Sequence, residues 1–390
     1  MLNQTGGLNQ TGGLSQTEGL SQTEGRFLTL HELVRAARAA LHPNVWDYLV
    51  GGTETETTVR RNRAALDGWA FRPRVLRDVS RIDCTGRFPW GRFQGRSIRL
   101  PVILAPVGGL ESLDFEKQGG TTVARGAAAF GVPFMASSVT QPGLEPIAAA
   151  ADGPKVFQLY VRGDDAWVDD VVARAVAAGY DMFCLTVDTA VYSRRERDIA
   201  RRFAKPWRAT VQGSEQRHQA ALSWREVARF KERHAIPLIL KGIGTGEDAA
   251  LACEHGVDVV YVSNHGGRQL DHGRGSLDVL PEVVEAVAGR AQVWMDGGVY
   301  RGTDLVKAVA LGADLVGLGR LYCYGLAAAG AEGVVRALEL LEVEAAECLG
   351  LLGATGFGQL DRACLAPARP VAEPHVHSAF PLLDTEYPPG

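Results

Sequence analysis

From Pro101 onward the chain alternates short apolar runs with Ala-rich stretches of helical spacing. The apolar runs predict strands at Pro101–Pro106, Val132–Ala136, Val156–Tyr160, Met182–Val187, Pro237–Lys241, Val257–Val262, Gln292–Asp296 and Leu315–Leu318. Helical spacing lies between them, as at Gly120–Phe130, Asp165–Gly179, Gly246–His255 and Thr303–Gly312. Eight β-then-α units in succession predict an α/β fold with a parallel sheet closed as a (β/α)8 TIM barrel. An N-terminal helical segment begins near Phe27, where Leu30, Leu33 and Val34 fall on one face. Residues 327–365 resume helical spacing, and the connection from about Phe203 to Leu222 reads as polar and mobile.

The ends of the chain lack this patterning. Residues 2–25 are a hexamer written four times, LNQTGG twice and LSQTEG twice. One Leu per unit buries too little apolar surface to offset the entropy of ordering, so the repeat reads as a disordered leader. The expected organisation is a leader at 1–26, a barrel domain at 27–366 and a Pro-rich tail at 367–390.

Composition removes several classes of function. A net charge of −4 leaves no basic footprint for nucleic acid. No apolar stretch approaches the ~20 residues of a membrane span, and the N-terminus lacks the pattern of a signal peptide. The cysteines are scattered, without a C-x-x-C pair, as expected for free thiols in a cytoplasmic protein.

Chemistry gathers where the strands end, which is where barrels of this kind build active sites. The strand Val257–Val262 runs into Ser263-Asn-His-Gly-Gly-Arg-Gln-Leu-Asp271. A His close to an Arg at such an end suits a base beside an anchor for a carboxylate. Other ends carry Ala105-Pro106, Ser137-Ser138, Gln158 with Tyr160, Thr186 with Asp188, and Lys241. Asp296-Gly297-Gly298 and Gly319-Arg320 fall after the seventh and eighth strands, where barrels commonly hold phosphate. From the residues alone, Tyr48 reads as helix packing, Arg195 as a solvated charge beside Arg194, and Asp188 equally as a loop cap. His375 and His377 fall short of a metal-ligand set, and no metal is expected.

Across roughly residues 27–365 the chain resembles the FMN-dependent 2-hydroxy-acid oxidase and dehydrogenase family. Phe157-Gln-Leu-Tyr160, Leu185-Thr-Val-Asp-Thr189, Leu240-Lys-Gly242, Ser263–Asp271 and Asp296-Gly-Gly-Val299 carry the resemblance. It implies FMN at the barrel mouth and oxidation of an (S)-2-hydroxy acid to a 2-oxo acid. It also implies His265 as catalytic base, Asp188 as its carboxylate, and Tyr160 at the substrate hydroxyl. Tyr48, Arg268 and Arg195 would face the substrate, with Lys241 beside the flavin ring. Ala105, Pro106, Val107, Ser137, Gln158, Thr186 and Ser263 would surround that ring. Asp296, Gly297, Gly298, Gly319 and Arg320 would complete the cofactor site toward the phosphate. A homotetramer is the assembly the family suggests.

Three positions depart from the family. Tyr300 replaces a phosphate-binding arginine, which shifts the expected phosphate contacts to Arg320 and backbone amides. Val139 stands where glycolate oxidase has tryptophan, leaving room for a bulky or aromatic substrate side chain, as in hydroxymandelate oxidases. The Pro106-Val107-Gly108-Gly109 loop differs from the usual Pro-Thr pattern. The expected activity is an oxidase passing electrons to O2 and forming H2O2. Alternatives are a quinone or protein acceptor, an amine or carrier-bound substrate, and a non-enzymatic flavin scaffold.

Overall fold

A computed structural model describes residues 25–205, 213–383 and 385. All but the last residue of the hexamer repeat therefore lies outside the described residues. Strands β4 (Val102–Leu104), β5 (Phe134–Ser137), β6 (Lys155–Leu159), β7 (Met182–Thr186), β8 (Leu238–Ile243), β9 (Val259–Val262), β10 (Gln292–Met295) and β11 (Leu315–Leu318) form one closed parallel barrel. Each is one of the eight predicted strands. Most are shorter than predicted because their flanking residues turn into loops, whereas β8 runs past Lys241 through a register shift.

Two apolar layers stabilise this closure. Inside the barrel, Ile103, Met135, Met182, Ile239, Trp294 and their neighbours are fully buried. The lower end is stoppered by the hairpin of β2 (Gly86–Arg87) and β3 (Ser97–Ile98), which contributes Phe88 and Ile98. The opposite faces of the strands pack against the surrounding helices. A short antiparallel pair, β1 (Trp69–Phe71) with β12 (Leu365–Pro367), ties the N-terminal segment to the end of the barrel domain.

Helical predictions hold: Gly120–Phe130 is an α-helix over the predicted span, and Asp165–Ala177, Gly246–Glu254 and Gly302–Ala310 are α-helices with shifted ends. The final helix runs from Arg320 to Leu352 with a kink at Ala329–Gly330, so it begins earlier and ends sooner than the predicted 327–365 segment. Within the polar 203–222 connection, residues 206–212 lie outside the description and Gly213–Ala220 is helical. The sequence pattern also passed over Thr57–Asp67, a helix whose buried face includes Asn62 and Arg63. Polar residues on the inward face erase the hydrophobic signal of a helix.

The Pro-rich tail packs against this framework. Phe380 is buried, and the His377 ring stacks on Trp46 at 5.4 Å. The Arg35 guanidinium donates to the Leu383 carbonyl. No helix among the described residues is long and apolar enough to cross a membrane.

Candidate active site

The C-terminal ends of the strands open into a cavity of about 220 Å³, continuous with solvent. Of the residues singled out in the sequence, Tyr48, Val139, Tyr160, Lys241, Arg195, His265 and Arg268 reach its wall. So do Ala105, Pro106, Val107, Asp296, Gly297, Gly298, Gly319 and Arg320. Ser137, Gln158, Thr186 and Ser263 are buried beneath it, and Asp188 stands behind His265.

His265 is held on both ring nitrogens. Nδ1 lies 3.1 Å from Asp188 Oδ1, and Nε2 lies 3.3 Å from the Tyr160 hydroxyl. Its backbone amide donates to Ser263 Oγ at 3.1 Å. His265, Gly266 and Gly267 occupy consecutive left-handed conformations, with φ of 59°, 65° and 77°. Glycine is required at Gly267 and relieves strain at Gly266. A Cβ on Gly266 would stand 2.8 Å from Arg320 Nη1, and one on Gly267 would stand 2.6 Å from the backbone nitrogen of Val59. The strained turn thereby brings the imidazole and two guanidinium groups around one space.

Desolvation pushes the His265 pKa below the usual imidazole value, and the attraction of Asp188 only partly opposes it. The resting ring is neutral and can accept a proton. Lys241 behaves oppositely. Burial would lower its pKa, but Asp296 at 3.1 Å and the more distant Asp188 raise it, so the ammonium stays charged. Its Nζ also donates to Ser263 Oγ at 2.7 Å, and that hydroxyl donates to Asp296 Oδ1 at 2.6 Å.

The guanidinium groups are less compensated. Arg268 donates to the carbonyls of Tyr48 at 2.6 Å and Gly51 at 2.8 Å, while Arg320 donates to those of Leu49, Gly51 and Gly266. Neither these two nor Arg195 has a carboxylate partner among the described residues. Burial, together with the charges of Arg195 and Arg320, brings the Arg268 pKa down to about 10. Carbonyl oxygens satisfy N–H donors but do not neutralise charge, so the mouth attracts anions.

The same surface fits a flavin mononucleotide. Gln158 Nε2 and Thr186 Oγ1 are buried polar atoms without a partner beneath the cavity, ready for the polar edge of a ring. Lys241, also at the cavity wall, would supply a cation to such an edge. At the opposite end, Gly297 and Gly298 have φ of 118° and 79°, and Arg320 stands beside the open Gly319. Backbone amides and a guanidinium suit a phosphate.

Two elements here were not read from the sequence. Arg63 donates to the Gly298 carbonyl and to Asp304, both at 2.7 Å, and its guanidinium lies 5.9 Å from the Tyr300 ring centroid. Asn62 packs against Gly297 and Gly298. Tyr300, expected near phosphate, lines the cavity beside Gly298, and its ring is buried in an aromatic cluster with Tyr324 and Phe380, at centroid distances of 6.4 and 5.4 Å. No local motif marks these contacts; they arise where the Thr57–Asp67 helix crosses the end of β10.

Fold and site together define a β/α-barrel enzyme with a neutral base, a buried cation and an anion-binding mouth. Residues 37–367 match the pattern of the FMN-dependent dehydrogenases. An L-lactate oxidase from Nostoc sp. is 36% identical over 363 residues, covering 87% of this chain and 98% of its own. Glycolate oxidase 1 from Oryza sativa subsp. indica is 37% identical over 347 residues, covering 84% of this chain and 92% of its own. Among solved structures, mandelate oxidase with (S)-2-phenylpropionate superposes with a TM-score of 0.79 at 36% identity, covering 89% of this chain and all of that one. The chain belongs to the FMN-dependent dehydrogenase family. It is an oxidoreductase acting on CH–OH groups, and its cofactor is FMN.

Proposed function

We propose that this enzyme oxidises an (S)-2-hydroxy acid with a bulky or aromatic side chain to the 2-oxo acid, with O2 as electron acceptor and H2O2 as product. The observation that carries the reading is the placement of neutral His265 beside the uncompensated Arg268 on one cavity wall. A substrate needs a carboxylate for the guanidinium and, next to it, a carbon bearing the group to be deprotonated. A 2-hydroxy acid has both on adjacent atoms. The curated relatives named for lactate, glycolate and 2-hydroxy acids support the same class.

Oxidation of the carbinol removes two electrons and two protons. FMN, when bound, would take up both electrons together with the second of these protons. Arg268 holds the carboxylate, His265 takes a proton, and Asp188 stabilises the imidazolium that results. Tyr160, whose hydroxyl keeps its proton because burial raises its pKa, orients the substrate oxygen near His265. Val139 on the wall supports the bulky side chain, since it leaves space that a larger residue would fill.

Anaerobic mixing of the yellow holoenzyme with 2-hydroxy acids tests the reaction. Mandelate-type acids should bleach the flavin faster than glycolate or lactate, and admission of air should yield peroxide. Bleaching by none of these acids would overturn the substrate class; reoxidation only by a quinone would overturn the acceptor.

A further inference from the structure

The backbone ladder between β6 and β7 stops short of the residues that hold His265. Its last aligned pair is Leu159 with Leu185. Tyr160 and Asp188, the two groups touching the imidazole, lie beyond that point on separate strand ends. Main-chain pairing alone therefore does not set the distance between them.

A side chain from the β7–β8 connection bridges this gap. Gln219, on the Gly213–Ala220 helix, is buried at the barrel mouth. Its Oε1 accepts from the Val161 amide at 2.6 Å. Its Nε2 donates to the Thr186 carbonyl at 2.7 Å and to Thr189 Oγ1 at 3.1 Å. The Val161 nitrogen belongs to the peptide bond that follows Tyr160, while Thr186 and Thr189 bracket Asp188. One primary amide thus extends the ladder past its last backbone pair. Its orientation is determined, because a flipped amide would set donor against donor and acceptor against acceptor.

We propose that Gln219 is a positioning residue: by clamping the ends of β6 and β7 together, it holds Tyr160 and Asp188 on opposite sides of His265. This rests on the reading of His265 as the base. Gln219 acts through these partners and does not itself accept a proton. Misplacement of a catalytic group by about 1 Å is enough to cost ~10²-fold in rate.

Gln219→Met keeps the length and removes all three hydrogen bonds. In the FMN-loaded variant the limiting rate of anaerobic flavin reduction should fall about 10- to 100-fold, with the apparent Kd for substrate changed less than about threefold. Gln219→Glu keeps the acceptor for Val161 but opposes an oxygen to the Thr186 carbonyl, so its rate should fall at least as far as that of the Met variant. The second readout is the ¹⁵N NMR signature of His265, independent of turnover. The wild-type ring should carry its proton on Nδ1 toward Asp188, and the Met variant should show mixed tautomers. A wild-type limiting rate, an effect confined to Kd, or an unchanged His265 signature in both variants would each overturn the proposal. Should the wild-type flavin resist every 2-hydroxy acid, the proposed reaction fails, and the ¹⁵N comparison still decides the role of Gln219.

Discussion

His265 Nδ1 and Asp188 Oδ1 meet at 3.1 Å, while the second oxygen of that carboxylate, Oδ2, is buried without a hydrogen-bond partner. The pair is thus organised around one contact. Asp188 is desolvated, yet the imidazole and Lys241 together hold its pKa below the usual carboxylate value. A charged Asp188 facing a neutral ring is poised to gain energy when the ring takes a proton.

The pH dependence follows from the direction of the His265 shift. Its pKa lies below 6.5, so the base form persists through neutrality and is lost only as pH falls through that lowered value. The acid limb of kcat/KM for flavin reduction should fall below pH 6.5. Asp188→Asn removes the group that raises the imidazole pKa. Its acid limb should move lower still, with a plateau reduced about 10²- to 10⁴-fold. Stopped-flow profiles of both proteins check this; an acid limb that stays in place would remove Asp188 from the protonation of His265.

Arg268→Lys preserves charge but loses the planar fork, and the carbonyls of Tyr48 and Gly51 already occupy one of its nitrogens. The expected loss in kcat/KM is about 10- to 150-fold, equal to the roughly 1.5–3 kcal/mol of a charge-assisted contact. Neutral amides of the same hydroxy acids should lose much less. Equal losses for acid and amide would place the carboxylate elsewhere, with Arg195 the next candidate.

The barrel and most of the site were legible because both are written in local patterns. Buried parallel strands are short apolar runs, and the residues that end them follow in sequence, as Ser263 to Arg268 follow β9. Contacts made by distant segments left no such mark. Arg63 reaches Gly298 across 235 positions, from a helix whose buried polar face hides its period. Gln219 sits in a stretch whose polarity reads as solvent exposure, although its amide is consumed by backbone groups. The Pro-rich tail lacks periodicity because single rings, His377 and Phe380, anchor it in place of a continuous face.

Tyr300 illustrates how the structure revises a simple charge argument. Restoring an arginine would be expected from sequence to strengthen phosphate binding. In the folded chain the Tyr300 ring packs on Tyr324 and Phe380, with the Arg63 guanidinium at 5.9 Å. Tyr300→Arg would break the cluster and place a second cation beside Arg63. A destabilisation on the order of 2–4 kcal/mol is expected, read as a drop of several degrees in Tm, without tighter FMN retention on dilution. Tyr300→Phe should change neither quantity. Tighter retention in the arginine variant at an unchanged Tm would restore the phosphate role.

Val139→Trp tests the wall that supports the bulky-substrate reading. Val139 borders the cavity and leans over Gly108: a Cβ on that glycine would lie 2.7 Å from Val139 Cγ2. The Gly108 carbonyl in turn accepts from the Tyr48 hydroxyl at 3.2 Å, so this side of the pocket is already filled. An indole at 139 must therefore extend into the open cavity. Overpacking of a fitted site costs about 1–3 kcal/mol, which corresponds to roughly 5- to 150-fold in kcat/KM for mandelate-type acids. Glycolate and lactate, whose side chains end short of that wall, should be affected far less. The measurement is the ratio of kcat/KM between aryl and small hydroxy acids in the two proteins. A uniform loss would mean that the indole disturbs the flavin site, and an unaltered ratio would move the specificity wall away from Val139.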